Sequence, residues 1–286
     1  MPALLPSVDF IYGAVLAAAL FHATWNALIK GSSDKLLSAI GITGVSTLIA
    51  ALCLPWLPQP APASWPFLLA SLVLQVVYMR LVAHIYRVAD MSVSYPVMRG
   101  TAPLLVALVS IVFFHDDPSP VALAGVATIC AGILCIGLPG IARSRKSGGV
   151  PLALLNAVVI AGYTLVDGTG ARLSQAPAGY TLWIFLLQGI VMVGLALPHR
   201  ARDLAGHFRA HWGAAVLGGF GSVISYGVAL WAMTLAPIAV IAALRETSIL
   251  FGILISGLFL RERLTPARLA GGCVLVLGVI VLRLAP

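Results

Sequence analysis

Apolar runs separated by short polar connections make up almost the whole of this chain. A membrane-spanning helix needs about 20 mostly apolar residues, and charged residues, prolines and glycines divide the sequence into ten such runs. The predicted spans cover approximately residues 9–29, 36–56, 64–86, 92–114, 119–139, 150–170, 178–198, 212–234, 238–260 and 266–284. The longest polar connections are 142–149 and 199–211, so no extramembrane domain is expected. The pattern predicts an all-α integral membrane protein whose function resides within the helical bundle or at its mouths.

The composition excludes a soluble globular protein. Of the 286 residues, 60% are apolar and only 9% are charged, with a mean hydropathy of +1.04, whereas about a quarter of the residues in soluble domains are charged. Because so few charged side chains cannot cover a water-facing surface, most of the outer surface is expected to contact lipid. Residues 1–10 lack the basic region of a cleavable signal, so we expect the first span to be retained.

The basic residues predict the orientation of the chain in the membrane. Their excess gives a formal net charge of +8, which in a lipid-embedded chain orients loops and does not indicate a nucleic-acid partner. The odd-numbered connections carry twelve basic residues: Lys30, Lys35, Arg87, Arg143, Arg145, Lys146, Arg200, Arg202, Arg209, Arg261, Arg263 and Arg268. The even-numbered connections and the termini carry only Arg172 and Arg283. The positive-inside rule therefore predicts cytoplasmic odd-numbered connections and external termini.

The two halves of the chain are similar to each other in sequence. A shift of 146 positions aligns residues 99–138 with 245–284 without a gap, and twelve of the forty pairs are identical. The predicted division is 1–142 for a first five-helix repeat, 143–149 for a basic connection and 150–286 for a second five-helix repeat. Because five is odd, the second repeat is expected to insert upside down. Two inverted repeats around a central cavity are typical of transporters.

No catalytic or metal-binding signature is present in the sequence. The four cysteines lie in apolar runs without a CxxC pair or a Cys/His cluster, which argues against a disulfide scaffold or a zinc site: Cys53, Cys130, Cys135 and Cys273. GxSxG, HExxH and Walker-type phosphate loops are absent. We therefore expect no enzymatic activity, no cofactor and no metal.

Four of the charged residues within predicted spans are the strongest candidates for function. Arg99 in span four and Arg245 in span nine occupy equivalent repeat positions, and Asp167 and Glu246 are the acidic residues within spans. Ionisable groups at membrane depth cost about 2.5 to 3.5 kcal/mol each on insertion scales, so they face the bundle interior and have partners. The two arginines are expected to lie ~10 Å deep from opposite faces. Either they bind anionic groups of a substrate or pair alternately with the acids as gates, or they form permanent ion pairs for assembly.

Span four is expected to be irregular. Its segment from Tyr95 to Pro103 contains two prolines and Gly100, and Pro96 cannot donate a hydrogen bond to the carbonyl of Ser92. Broken helices mark binding sites in many transporters, although proline kinks also occur at functionally silent positions. We count Tyr95 among the candidate cavity residues.

Polar and aromatic side chains follow one face of several spans. His22, Trp25 and Asn26 lie at i, i+3 and i+4 of span one, and Tyr163 and Asp167 have the corresponding spacing in span six. Such stripes suit the wall of a binding cavity, but they also occur where helices hydrogen-bond to each other for packing. Further candidates are Gln75, Tyr78, Met79, Arg80 and His84 on span three, Trp183 and Gln188 on span seven, and Tyr226 and Trp231 on span eight.

Two pairs of glycines predict a close contact between spans five and ten. Gly125 and Gly132 are seven residues apart, as are Gly271 and Gly278. This spacing keeps small residues on one helix face, where they allow the backbones to approach closely.

The chain resembles the drug/metabolite transporter superfamily, specifically the EamA-type exporters. The residues that carry the resemblance are His22-Ala-Thr-Trp-Asn26 with Lys30, Arg99-Gly-Thr-Ala-Pro103, and Ala243-Leu-Arg-Glu-Thr-Ser248 leading to Phe259-Leu-Arg-Glu262. The resemblance implies a basket-like ten-helix fold with a central cavity and secondary transport of small metabolites, often export of amino acids or related compounds. Several members are described with both termini in the cytoplasm, which the loop charges of this chain do not support.

The function expected from these features is secondary transport, by alternating access, of a small polar or zwitterionic metabolite. Arg99 and Arg245 are expected to bind anionic groups, and Glu246 or Asp167 to bind a substrate amine or a coupled proton. Trp25 and Asn26 are expected to form the cavity wall. The expected location is the plasma (inner) membrane of a bacterium. Two alternatives remain: a flippase for a lipid-linked headgroup, and a non-transporting membrane scaffold.

Overall fold

A computed structural model of the chain describes residues 6–114, 118–143, 149–258 and 264–285. Within these ranges the fold is helical, and the α-helices are α1 (Val8–Lys30), α2 (Lys35–Cys53), α3 (Trp65–Val88), α4 (Met91–Val109), α5 (Pro120–Arg143), α6 (Gly149–Ser174), α7 (Pro177–Met233), α8 (Ile238–Arg245), α9 (Ser248–Leu258) and α10 (Pro266–Arg283). Most of the basic fifth connection and the Phe259–Glu262 part of the resemblance lie outside the described residues.

The predicted number of membrane spans is confirmed. By length and apolar composition, ten helical segments of the described chain can cross a membrane. The long helix α7 contains span seven (Pro177–Leu195) and span eight (Arg202–Met233), whereas α8 and α9 together form span nine (Ile238–Leu258). The protein is therefore an all-α integral membrane protein.

The connection between spans seven and eight is helical, although the sequence predicted a polar loop at 199–211. Within α7 only Arg200 and His211 have non-helical backbone angles. The connection contains no proline after Pro198, and its Arg, Leu and Ala residues favour helix. The side chain of Arg200 also pairs with Asp203 three residues later, at 3.3 Å between Nε and Oδ2. The polar residues at 199–211, which separate the predicted spans seven and eight, therefore do not interrupt the helix.

The first and seventh connections contact each other through polar side chains. Asp34 caps the N-terminus of α2 by accepting a hydrogen bond from the Leu37 N–H, at 3.0 Å. That bond, with the nearby guanidinium of Arg200, holds the pKa of Asp34 below its usual value. On the same side, the Ser38 Oγ lies 2.8 Å from His207 Nε2. These contacts join the start of α2 to the connection between spans seven and eight.

Span four is irregular, but not at its prolines as predicted: its last turn, Ser110–Phe114, is π-helical, whereas a helix break lies in span nine. Helix α4 continues through Pro96 and Pro103, because neighbouring helices in a bundle compensate for the hydrogen bonds that proline removes. In span nine, α8 ends at Arg245 and α9 begins at Ser248. The Thr247 hydroxyl donates to the Leu244 carbonyl at 2.7 Å, so a side chain competes with the backbone for helical hydrogen bonds.

The glycine seam predicted between spans five and ten is confirmed. A Cβ atom added at Gly132 would lie 2.7 Å from the Gly271 carbonyl oxygen, and one added at Gly271 would lie 2.6 Å from the Gly132 carbonyl oxygen. At Gly278 it would lie 3.0 Å from the Gly125 carbonyl oxygen. Helices α5 and α10 thus pack backbone against backbone, which only glycine permits at these positions.

Substitution of Gly132 by alanine is expected to destabilise the protein. The added methyl group would overlap the Gly271 backbone, and overpacking of this kind costs about 1 to 3 kcal/mol. The matched control is Gly252→Ala in α9, where an added Cβ meets no atom within 4 Å. Thermal unfolding in detergent should show a lower midpoint for Gly132→Ala only. Equal midpoints for the two variants would contradict the tight seam.

Candidate functional site

A cavity lies at the centre of the bundle and brings most of the candidate residues together. Counting the open space at its mouth, its volume is about 1100 Å³, and side chains from α1, α2, α3, α4, α6, α7 and α8 line it. Twelve of the predicted candidate residues belong to the lining: His22, Trp25, Asn26, Gln75, Tyr78, Met79, Tyr95, Arg99, Tyr163, Gln188, Tyr226 and Arg245. Glu246 lines a smaller adjoining recess that also includes Arg99, Tyr163 and Arg245.

Arg99 is both a wall residue of the cavity and a member of a buried ion pair. Its Nε atom lies 2.8 Å from Oε2 of Glu246, and the two side chains are only 9% and 7% exposed. The pair joins α4 of the first half to the end of α8 in the second half. Among the described residues, the Nη2 atom of Arg99 has no hydrogen-bond partner. Arg99 therefore has an ion-pair partner, as an assembly role requires, and also lines the cavity, as substrate binding requires.

Arg245 presents a positive charge on the cavity wall. Its guanidinium carbon lies 4.9 Å from the centre of the Tyr226 ring, a cation–π contact. Within the described parts of the chain, no carboxylate lies within ion-pair distance of Arg245. Glu246 follows Arg245 directly but pairs with Arg99 instead, since successive side chains point about 100° apart around a helix. Arg245 is therefore the cation best placed to bind an anion entering the cavity.

Aromatic rings and polar groups form the remainder of the wall. His22 and Trp25 contact edge to face at 5.0 Å between ring centres, and Tyr78 and Tyr163 do so at 5.7 Å. The Asn26 amide donates to the His22 carbonyl of its own helix at 2.8 Å. The Nε1 of Trp25 is a buried donor without a partner among the described residues. The cavity thus offers apolar ring surface beside uncommitted N–H donors.

Asp167 lies behind the wall rather than on it. Its side chain is fully buried in α6, and it accepts hydrogen bonds from two residues that do line the cavity. The Tyr226 hydroxyl donates to Oδ2, and the Gln75 amide donates to the same oxygen at 3.5 Å. Although predicted span six ends at residue 170, three residues after Asp167, the tertiary fold buries the Asp167 side chain completely.

Some candidates lie elsewhere, and some wall residues were missed. Trp231 is outside the lining and packs edge to face against Phe10, with ring centres 6.3 Å apart. Arg80 and His84 are exposed on α3. The polar and aromatic wall residues that were missed are Thr43 and Ser46 on span two, Phe185 on span seven, and Ser222 and Ser225 on span eight. The i, i+3 spacing of the hydroxyl residues in each pair was the available signal.

Comparison with known proteins agrees with this architecture. Residues 147–284 match the model of the EamA-like transporter family. No curated protein matches the chain. A solved structure, described only as the crystal structure of a protein, is similar with a TM-score of 0.73 and 17% sequence identity, over 97% of this chain and 98% of that chain. At that identity the likeness shows the fold alone. Residues 147–284, slightly less than half of the chain, are therefore similar to the EamA-like transporter family, which is consistent with the drug/metabolite transporter superfamily.

Proposed function

We propose that this transporter carries a small metabolite with a carboxylate group, such as an amino-acid-like zwitterion, by alternating access to its central cavity. The observation that supports the proposal best is the position of Arg245. Its guanidinium lies on the cavity wall, stacked on Tyr226, and has no carboxylate within ion-pair distance among the described residues. A guanidinium can bind a carboxylate through two parallel hydrogen bonds.

The neighbouring side chains suit the rest of such a molecule. The Nε1 of Trp25 and the Nη2 of Arg99 are buried donors without partners in the described structure, and both residues line the same cavity. The rings of Tyr78 and Tyr163 offer apolar contact area. A few polar groups that fix orientation within a largely apolar and aromatic pocket are typical of small-molecule sites.

The Arg99–Glu246 pair is the element that we propose to act as a gate. It crosses from α4 to the end of α8, and these helices belong to the two predicted inverted repeats, 1–142 and 150–286. Relative movement of the repeats would break and re-form the pair. Glu246 also lies at the break between α8 and α9, where the backbone can change direction without disrupting a continuous helix.

The cellular setting is also part of the proposal. The twelve basic residues of the odd-numbered connections, against two on the other side, support cytoplasmic odd-numbered loops and external termini. The resemblance to EamA-type exporters supports the plasma membrane of a bacterium and outward transport. The function proposed is transport without catalysis, in which any driving force comes from gradients of the substrate or of protons.

Carboxylates are expected to stabilise the purified protein against heat, because a ligand that binds only the folded state raises its stability. At a concentration about 100 times the dissociation constant, the gain is about 2.7 kcal/mol. We would test L-phenylalanine, L-glutamate, succinate and benzoate, with spermidine as a cation. The matched control is L-phenylalanine methyl ester, which lacks the carboxylate. Stabilisation by spermidine or the ester, without stabilisation by any carboxylate, would contradict the proposal.

A further inference from the structure

A buried carboxylate lies directly behind the side chains that line the cavity. The proposed substrate site does not use it. The Asp167 side chain is fully buried in α6. Among the described residues no Lys, Arg or His lies within ion-pair distance of it, and its Oδ1 atom has no hydrogen-bond partner. An unpaired carboxylate ion is costly in a low-dielectric interior, and uptake of a proton removes that cost. Oδ1 is a position where such a proton can reside.

Hydrogen-bond donors surround the Asp167 side chain, and one cation lies farther away. The titratable groups that face it are Tyr180 on span seven, Tyr226 on span eight and Arg245 on α8. Helix α3 contributes Ser71 and Gln75, which do not titrate. Tyr226 already donates to Oδ2, so a proton on Oδ1 leaves that hydrogen bond intact. Both protonation states of Asp167 are therefore compatible with the same contacts.

Tyr226 places Asp167 next to the proposed substrate site. The hydroxyl of Tyr226 contacts the Asp167 carboxylate. The guanidinium carbon of Arg245 lies 4.9 Å from the centre of the Tyr226 ring. The charge of Arg245 therefore acts on Asp167 across a single side chain, in a region of low dielectric constant where charges interact strongly. A positive Arg245 favours the ionised form of Asp167. Neutralisation of Arg245 by a bound carboxylate favours the protonated form.

We propose that Asp167 is a proton-binding site whose occupancy is coupled to anion binding at Arg245. The carboxylate group of the substrate and a proton then bind together, so the proton balances the negative charge that the carboxylate brings into the cavity. The coupling is reciprocal, since any ligand that favours protonation of Asp167 is itself favoured by it. Because an inward proton gradient opposes outward movement of a proton, outward transport would be driven by the gradient of the substrate. This inference rests on the proposed function only for the identity of the anion.

Infrared spectroscopy of the purified protein tests the coupling without a ligand. The carboxylic acid C=O band of Asp167 is identified as the band that Asp167→Asn removes from spectra recorded between acid and alkaline pH. Arg245→Gln removes the positive charge of this residue and so imitates its neutralisation by a bound anion. In this variant we expect the Asp167 band to persist to a pH higher than in the wild-type protein, by about one pH unit. Arg245→Lys keeps the charge, and its band should titrate as in the wild type.

A matched acidic residue outside the cavity serves as the control. Asp203 is exposed in the connection between spans seven and eight, and its band, assigned with Asp203→Asn, should not respond to Arg245→Gln.

The proposal is overturned if Asp167→Asn removes no acid band at any pH at which the protein is folded. It is also overturned if the Asp167 band titrates at the same pH in the wild type and in Arg245→Gln. If carboxylates stabilise the protein but the band does not shift, the coupling fails and the proposed function stands. If the band shifts but no carboxylate binds, the proton site stands and the proposed function fails.

Discussion

Substitution of Arg245 by glutamine is expected to weaken the response of the protein to carboxylates strongly while leaving it folded. Hydrogen bonds to charged groups contribute about 1.5 to 3 kcal/mol, so the affinity should fall about 10- to 150-fold. Folding should tolerate the change because Arg245 is half-buried and, among the described residues, has no carboxylate partner whose charge would be left unpaired. Arg245→Lys should retain part of the affinity, since lysine keeps the charge but lacks the planar fork.

The measurement is the thermal midpoint of each variant with and without L-phenylalanine, L-glutamate, succinate and benzoate. Arg80→Gln is the matched control, because Arg80 is exposed on α3 and does not line the cavity. The control should respond to carboxylates like the wild type. An Arg245→Gln variant that folds and is stabilised by carboxylates as strongly as the wild type would exclude Arg245 as the anion-binding group.

The second large effect is expected at the buried ion pair. Arg99→Ala leaves the Glu246 carboxylate buried without its partner, and breaking a buried pair in this way costs about 3 to 5 kcal/mol. The double variant Arg99→Met, Glu246→Leu removes both charges and restores apolar volume. It should therefore be much more stable than Arg99→Ala, because desolvation of the two ions offsets much of their attraction.

Equilibrium unfolding or thermal denaturation of the wild type, Arg99→Ala and the double variant completes this comparison. If the pair also acts as a gate, the stable double variant should still bind carboxylates through Arg245, more weakly because it lacks the Arg99 donor, yet transport them slowly. A double variant as unstable as Arg99→Ala would show that Arg99 stabilises the fold through contacts other than Glu246. Full transport activity in the double variant would exclude the gate.

The spans could be predicted from the sequence because hydropathy depends on local composition, whereas the helix breaks could not. The membrane requires about 20 apolar residues wherever a helix crosses it, and this requirement located the ten segments. Pro96 and Pro103 were expected to break α4, but the packed bundle keeps that helix continuous. The break at Glu246 depends on the Thr247 hydroxyl bonding the Leu244 carbonyl and on the pairing of Glu246 with α4. Only the tertiary structure shows these contacts.

The candidate site was predicted in its charged residues and less well in its geometry. Arg99 and Arg245 were identifiable because charge within an apolar span is rare and because the repeat places them at equivalent positions. Nothing in the sequence distinguished their environments, in which Arg99 is paired and Arg245 is stacked on Tyr226. Likewise, side-chain spacing placed Trp231 among the candidates, but in the packed bundle its ring contacts Phe10 and not the cavity.

Solute flux in liposomes tests the central claim most directly, namely that one carboxylate-binding cavity performs transport. Vesicles containing the wild-type protein or Arg245→Gln are loaded with the carboxylate that stabilises the wild type most, and exchange with the labelled compound outside is followed. The account predicts saturable exchange in the wild type and little above empty vesicles in Arg245→Gln. Absence of exchange in the wild type, or movement of labelled lipid instead of solute, would contradict it.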